Sequence, residues 1–253
     1  MPSNSNDEGP LGSGNGPSNN RGSGGNNNNH VLALIPARGG SKGIPGKNMV
    51  KVKGIPLIGY TIESAIHSKF VSEIFITSDD KLTLQYGKDA GVQLIRRPKE
   101  YSSDTSSAND VVQHFISVIS KKLIEKDPYI IYLQPTSPLR TSDHIDHAFG
   151  KMIDAGLHKL VSVVEMKMTP FKAFKLDDKG NLQVLFNENM TNKRRQDLPQ
   201  TYLANGAIYI FRVSDFIKDC EFPSNGSYPY IMNELDSLDI DTNNDLEILN
   251  QIL

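Results

Sequence analysis

A single cysteine, Cys220, stands in the 253-residue chain, which excludes an intrachain disulfide and a multi-cysteine zinc site. That suits a reducing compartment. No apolar run approaches the length needed to span a membrane. A net charge of −2 leaves no electrostatic reason to expect nucleic acid or an anionic membrane as partner. Residues 1–30 hold almost no apolar side chains: Asn, Gly, Ser and Pro dominate, and Leu11 is the only large aliphatic after the initiator. Such a segment buries too little surface to offset its ordering entropy and reads as a disordered low-complexity tail. It has neither the apolar stretch of a signal peptide nor the Arg-rich helix of a transit peptide. Its one arginine, Arg21, makes a poor RNA-binding segment. The tail dilutes the hydrophobic share of the chain to 38%.

Order is expected to begin at Val31. Val-Leu-Ala-Leu-Ile-Pro (31–36) is a short apolar run stopped by proline, suited to a strand buried on both faces. A glycine- and lysine-rich stretch follows to Asn48, then a small segment at 49–53. Pro56 is placed to open a helix whose apolar stripe is Leu57, Ile58, Ile62, Ala65 and Ile66. Residues 73–78 read as a strand, 81–90 as a helix closed by Gly91, and 92–95 as a strand. A long helical pattern covers 106–125, a buried strand 129–133, a helix capped by Ser142 or Asp143 the residues to about 155, and a strand 160–164. Strands alternating with helices predict βαβ units and a mainly parallel sheet between helical layers. The rhythm breaks at 167–202, where turn signals (177–180) and the triplet Lys193-Arg194-Arg195 suggest an inserted hairpin or arm. Strand character returns at 205–211 and 237–240, and a helix over 243–253 closes the chain.

Four segments carry chemistry. Residues 36–48 follow the first strand directly, where parallel sheets bind ligands. Glycines 39, 40, 43 and 46 let backbone N–H groups turn inward as an anion nest, and Arg38, Lys42 and Lys47 add positive charge. The spacing is neither a Walker A loop nor a dinucleotide fingerprint. Asp239-Ile-Asp241, read at a strand end, puts two carboxylates on one face, a set that suits Mg²⁺ bridging to phosphates; a solvated strand end is the alternative. Gln134-Pro-Thr-Ser-Pro-Leu-Arg140 is a rigid polar loop at the same sheet edge, or an ordinary turn. Arg195 can grip a carboxylate as a bidentate fork, or sit on a charged surface hairpin. Lys193–Arg195 is a thin nuclear-targeting signal. His144 and His147 lack a third ligand and are expected to face solvent, Gly39-Gly40-Ser41 does not form a nucleophile elbow, and Cys220 is expected to be packed.

Together these segments resemble the acylneuraminate cytidylyltransferases, or CMP-sialic acid synthetases. The matching stretches are 35–43 with Lys47-Asn48, Thr77-Ser-Asp79, Arg97-Pro98, Ser103-Asp-Thr105, 133–140, Arg195-Gln-Asp-Leu-Pro199, Asn205-Gly-Ala-Ile-Tyr209 and Asp236-Ser-Leu-Asp-Ile-Asp241. They cover nearly the whole chain after His30, in the family's order. The resemblance implies a Rossmann-like α/β domain over 31–253, of the nucleotide-diphospho-sugar transferase type. Its sheet is mixed but mainly parallel, with helices on both faces. A dimerisation arm over 167–204 is implied to reach the partner's active site in a homodimer or a dimer of dimers. It implies that Arg38, Gly39, Gly40, Ser41, Lys42, Lys47 and Asn48 hold the CTP phosphates, and that Arg97 with Ser106, Ser107 and Ala108 contacts the cytosine. It also implies that Gln134, Lys172, Arg195, Asn205, Tyr209 and Phe222 line the sugar site, with Lys172 and Arg195 acting across the dimer. Asp239 and Asp241 would bind Mg²⁺, or Mn²⁺ in its place.

The implied reaction is attack of the anomeric hydroxyl of a sialic acid on the α-phosphorus of CTP, with pyrophosphate leaving. Arg38, Lys42 and Lys47 would neutralise charge, and Asp241, or a water near it, would be the candidate base. Leu203 stands where some bacterial members carry an arginine for the sugar carboxylate, and Ala108 where some carry a serine. Legionaminic, pseudaminic or deaminated sialic acid and 3-deoxy-octulosonate are the alternative acceptors. A catalytically silent nucleotide-binding protein is the alternative of another class. The resemblance implies a cytoplasmic enzyme, or a nuclear one in an animal.

Overall fold

The computed structural model of the protein describes residues 29–41 and 43–253. The tail, apart from its last two residues, and Lys42 lie outside the described residues. His30 already belongs to the fold: Tyr129 N–H donates to its carbonyl at 2.8 Å, and its ring meets Glu73 at 2.9 Å.

Strand β1 (Val31–Pro36) lies inside the sheet, and its side chains alternate between two cores. Ala33 and Ile35 face helices α1 (Leu57–Ile66), α2 (Lys81–Asp89) and α5 (Ser142–Asp154). Leu32 and Leu34 face α3 (Ala108–Val118), α4 (Lys121–Ile124) and α7 (Val213–Asp219). Side chains two apart on a strand share a face, so an apolar run with no polar gaps needs both faces covered. Around β1 lie β4 (Glu73–Ser78), β5 (Gln93–Arg96), β6 (Tyr129–Tyr132), β7 (Lys159–Glu165), β10 (Tyr202–Arg212) and β11 (Tyr228–Met232). The seven strands run in the order β11-β7-β10-β6-β1-β4-β5. Only β10 is antiparallel to its neighbours. This is the expected mainly parallel mixed sheet with helices on both faces.

A small hairpin, β2 (Lys51–Val52) with β3 (Ile55–Pro56), precedes α1. The irregular stretch contains the hairpin β8 (Phe174–Leu176) and β9 (Leu182–Val184), followed by the short helix α6 (Glu188–Thr191). Helix α8 (Asn243–Ile252) closes a third core in which Leu249 packs with Ile44, Val52, Leu57 and Ile240.

Three expectations are corrected. The pattern over 106–125 is two helices, because Ile119 is extended and the Ser120 hydroxyl caps α4 by accepting from Leu123 N–H. The apolar period survives the break because Ile119 and Leu123 still turn to the same core. Residues 237–240 are not a strand, and β11 takes the edge instead. Its Pro229 disguises it in the sequence, but an edge strand tolerates a residue without an N–H. Thr141, rather than Ser142 or Asp143, caps α5. Among the described residues no helix is long and apolar enough to cross a membrane.

Candidate active site

The chain leaves β1 for β4 and β5 on one side and then returns to β6 on the other. The carboxyl ends of β1 and β6 therefore flank a switch point, where open α/β sheets form their crevice. A cleft of about 390 Å³ opens there, lined by Arg38, Gly40, Ser41, Lys47, Asn48, Arg97, Ser106–Ala108, Tyr132, Gln134–Thr136, Asp239 and Asp241. Apart from Gly39 and Lys42, the residues expected at the phosphates, the base and the metal line this one cleft.

The loop after β1 is held from below. Gly39 N–H donates to Asp79 Oδ1 at 2.8 Å, and Asn48 Nδ2 to the Arg38 carbonyl at 2.9 Å. Arg38 Nη1 pairs with Asp104 at 2.6 Å and bonds the Ser103 carbonyl at 3.2 Å, so this cation ties the loop to the segment before α3. Lys47 is directed to the acidic segment: its Nζ donates to the Ile240 carbonyl at 2.6 Å and to Asp241 Oδ1 at 2.9 Å. Gly43 sits against the Asp241 carbonyl so closely that a Cβ would collide with backbone. The phosphate loop and the acidic segment are therefore packed as one unit.

Asp239 and Asp241 do converge on the cleft, but on a loop fastened by Ile240 N–H to the Thr136 carbonyl (2.9 Å) and not on a strand. The protein crowds the Asp239 carboxylate, and this desolvation pushes its pKa up. The Asp241 charge adds to the rise, while a hydrogen bond from Thr136 and the Lys47 charge oppose it. Asp241 is open to solvent, with 72% of its side chain exposed. Among the described residues no cluster of three or more acidic, His or Cys side chains could enclose a metal. Two carboxylates beside a phosphate loop nevertheless fit Mg²⁺, which takes its remaining ligands from water and substrate phosphates.

Arg97 is the exception among the cations. It is 4% exposed, its Nε and Nη2 are buried, and no side-chain nitrogen makes a hydrogen bond among the described residues. Burial lowers its pKa, with Asp79 and Tyr132 acting in the other direction. A buried donor set without partners faces a ligand-sized space and suits an acceptor edge. Ser107 lines the cleft, and its hydroxyl also caps α3 in a reciprocal box with Asp110. Ser106 is bonded to Ser103, and Ala108 is the first residue of the helix.

On the acceptor side, Gln134 packs against Gly206, whose φ of +75° and contact with the Gln134 carboxamide leave no room for a side chain. Tyr209 and Phe222 meet as tilted rings at 4.7 Å, and Tyr132 meets Phe222 edge-on at 5.0 Å. Asn205 braces the acceptor side from within. It is 6% exposed, accepts from Ser162 Oγ and Ala207 N–H, and donates to Ser237 Oγ. Lys172 and Arg195 are exposed and lie outside the cleft of their own chain. Arg195 lines a separate groove with Glu165, Thr169 and Pro199.

Sequence reasoning assigned no role to Asp79, Tyr132, Thr136 or Arg140. Asp79, Thr136 and Arg140 lie in matching stretches that follow strands, and Tyr132 ends β6 one residue before such a stretch. His144 is half-buried with Nε2 at 3.4 Å from Asp236, so it does not simply face solvent. Cys220 is exposed and closes α7 at a φ of +51°, so it is not packed.

A family model described as cytidylyltransferase matches residues 32–239. An N-acylneuraminate cytidylyltransferase of Streptococcus agalactiae serotype III (strain NEM316) is 34% identical over 216 residues, covering 85% of this chain and 51% of that sequence. The chain thus spans about half the length of that relative. A pseudaminic acid cytidylyltransferase of Campylobacter jejuni subsp. jejuni serotype O:2 is 33% identical over 220 residues, covering 85% of this chain and 93% of its own. In fold, the chain matches a CMP:2-keto-3-deoxy-manno-octonic acid synthetase complexed with CTP. The TM-score is 0.64 at 17% identity, covering 88% of this chain and 98% of that one.

Proposed function

The chain belongs to the cytidylyltransferase family, and from that premise we propose that it transfers CMP from CTP to the anomeric hydroxyl of N-acylneuraminate, releasing pyrophosphate. The observation that carries this reading is the arrangement of one cleft: an unpaired Arg97 at one end, and the β1 loop packed on Asp239 and Asp241 at the other. Arg97 and the start of α3 receive the cytosine, the 38–48 loop receives the triphosphate, and Gln134, Tyr209 and Phe222 receive the sugar acid. Asp239 and Asp241 would hold Mg²⁺, which would neutralise phosphate charge and make the attacking hydroxyl more acidic. Arg38 and Lys47 orient and neutralise the triphosphate. Asp241, solvent-open at the cleft edge, accepts the proton of the attacking hydroxyl. No covalent enzyme intermediate is needed, because positioning and fixed charge supply the catalysis.

The named relatives act on different sugar acids, so the acceptor is decided by experiment. With CTP and Mg²⁺ the protein is expected to form a CMP-sugar fastest from N-acetylneuraminate within a panel of legionaminic, pseudaminic and deaminated sialic acids and 3-deoxy-octulosonate. A faster rate with another member reassigns the acceptor, and no product from any of them removes the reading. We place the enzyme in the cytoplasm.

The same reading makes 167–204 a dimerisation arm that brings Lys172 and Arg195 to a partner's cleft. Its support is apolar exposure: Met168, Leu176, Leu182 and Phe186 are each more than half exposed in one chain. A Leu176→Asp/Leu182→Asp variant is expected to elute as a monomer, with turnover reduced by about tenfold or more. An unchanged dimer, or a monomeric wild type, would exclude the arm as the interface.

A further inference from the structure

The side chain of Arg140 is 2% exposed, and it makes no ion pair among the described residues. Its Nη1 donates to the Gln134 carbonyl at 3.1 Å and to the Ala207 carbonyl at 2.9 Å. Nε reaches Ser64 Oγ only at 3.5 Å, and Nη2 has no partner. Burying a guanidinium without a carboxylate is costly, and an apolar side chain would fill the core without that cost. The two carbonyls explain the choice. Gln134 follows the end of β6, and Ala207 lies where the register of β10 on β7 shifts between Ala204 and Tyr209. Both backbones are irregular at the acceptor side of the cleft, and one planar donor spans them.

We propose that Arg140 is a positioning residue for the sugar acid: it locks the Gln134 loop to the 205–207 turn and so sets the spacing of Gln134 and Tyr209. The inference rests on the acceptor side assigned above. The nucleotide side is fastened separately, through Asp79 to Gly39 and Asn48 to Arg38, so loosening Arg140 should leave it in place. Burial moves the Arg140 pKa down to about 9, which fits a cation with no countercharge.

The test compares Arg140→Lys, Gln134→Ala and the double variant. Arg140→Lys is expected to keep its fold and to bind CTP within about twofold of wild type, while kcat/KM for the sugar acid falls roughly tenfold to a hundredfold. The two changes are expected to be non-additive, because Arg140 acts through Gln134. Amide hydrogen exchange is expected to accelerate at 134–140 and 204–208 together, with 31–36 unchanged. That readout does not depend on the acceptor, so a failed acceptor assignment shows as wild-type inactivity with the exchange coupling intact. CTP affinity falling in parallel, additive losses, unchanged exchange in the two segments, or an unfolded Arg140→Lys protein would each overturn the proposal.

Discussion

Asp241→Asn is expected to lower turnover by at least about 10²–10³-fold while CTP affinity in the absence of metal stays near wild type. The substitution keeps size and hydrogen-bonding capacity but removes the charge that faces the cleft beside Asp239. The loop should hold its place, because the Ile240 N–H bond to Thr136, the Lys47 bond to the Ile240 carbonyl and the packing of Gly43 on the Asp241 backbone do not involve that carboxylate. The charge does contribute to the raised pKa of Asp239, so Asp239 in the variant should ionise at lower pH than in wild type. Two readouts therefore move in opposite senses: turnover collapses while the neighbouring carboxyl becomes easier to deprotonate. Steady-state kinetics and carboxyl titration by NMR check both. Turnover within a few fold of wild type would remove Asp241 from the chemistry.

The second large effect has opposite signs on stability and binding. Arg97→Met exchanges a buried guanidinium that lacks hydrogen bonds for a shorter, unbranched apolar chain. Replacing such a charge is neutral or stabilising by about 1–4 kcal/mol. The same change deletes the donors that await the base, and hydrogen bonds to a charged group are worth about 1.5–3 kcal/mol, or roughly 10–100-fold in CTP affinity. Thermal unfolding and CTP titration on the same sample decide the matter. A destabilised variant that binds CTP normally would mean that Arg97 supports the fold instead of the nucleotide.

The central strands were legible because a strand covered on both faces must be apolar throughout. Residues 31–36 and 73–78 accordingly match β1 and β4 end to end. The cleft was legible because its residues sit in short contiguous stretches after those strands. What escaped has a physical cause in each instance. Pro229 hid an edge strand, Ser120 broke a helix inside an unbroken apolar period, and the Asp239 segment gets its extended course from tertiary contacts with Thr136 and Lys47. Arg140 and Asn205 are polar residues in polar loops, and nothing in the sequence marks either as buried. Only burial and bond partners identify them as internal ties.

Nucleotidyl transfer is distinguished from other uses of a triphosphate site by the bond that breaks. CTP labelled at the α-phosphorus, incubated with the protein, Mg²⁺ and the preferred sugar acid, is expected to pass its label to the CMP-sugar, and γ-labelled CTP to release its label as pyrophosphate. Label leaving γ-labelled CTP as orthophosphate or on the sugar, with α-label retained in CDP, would contradict cytidylyl transfer.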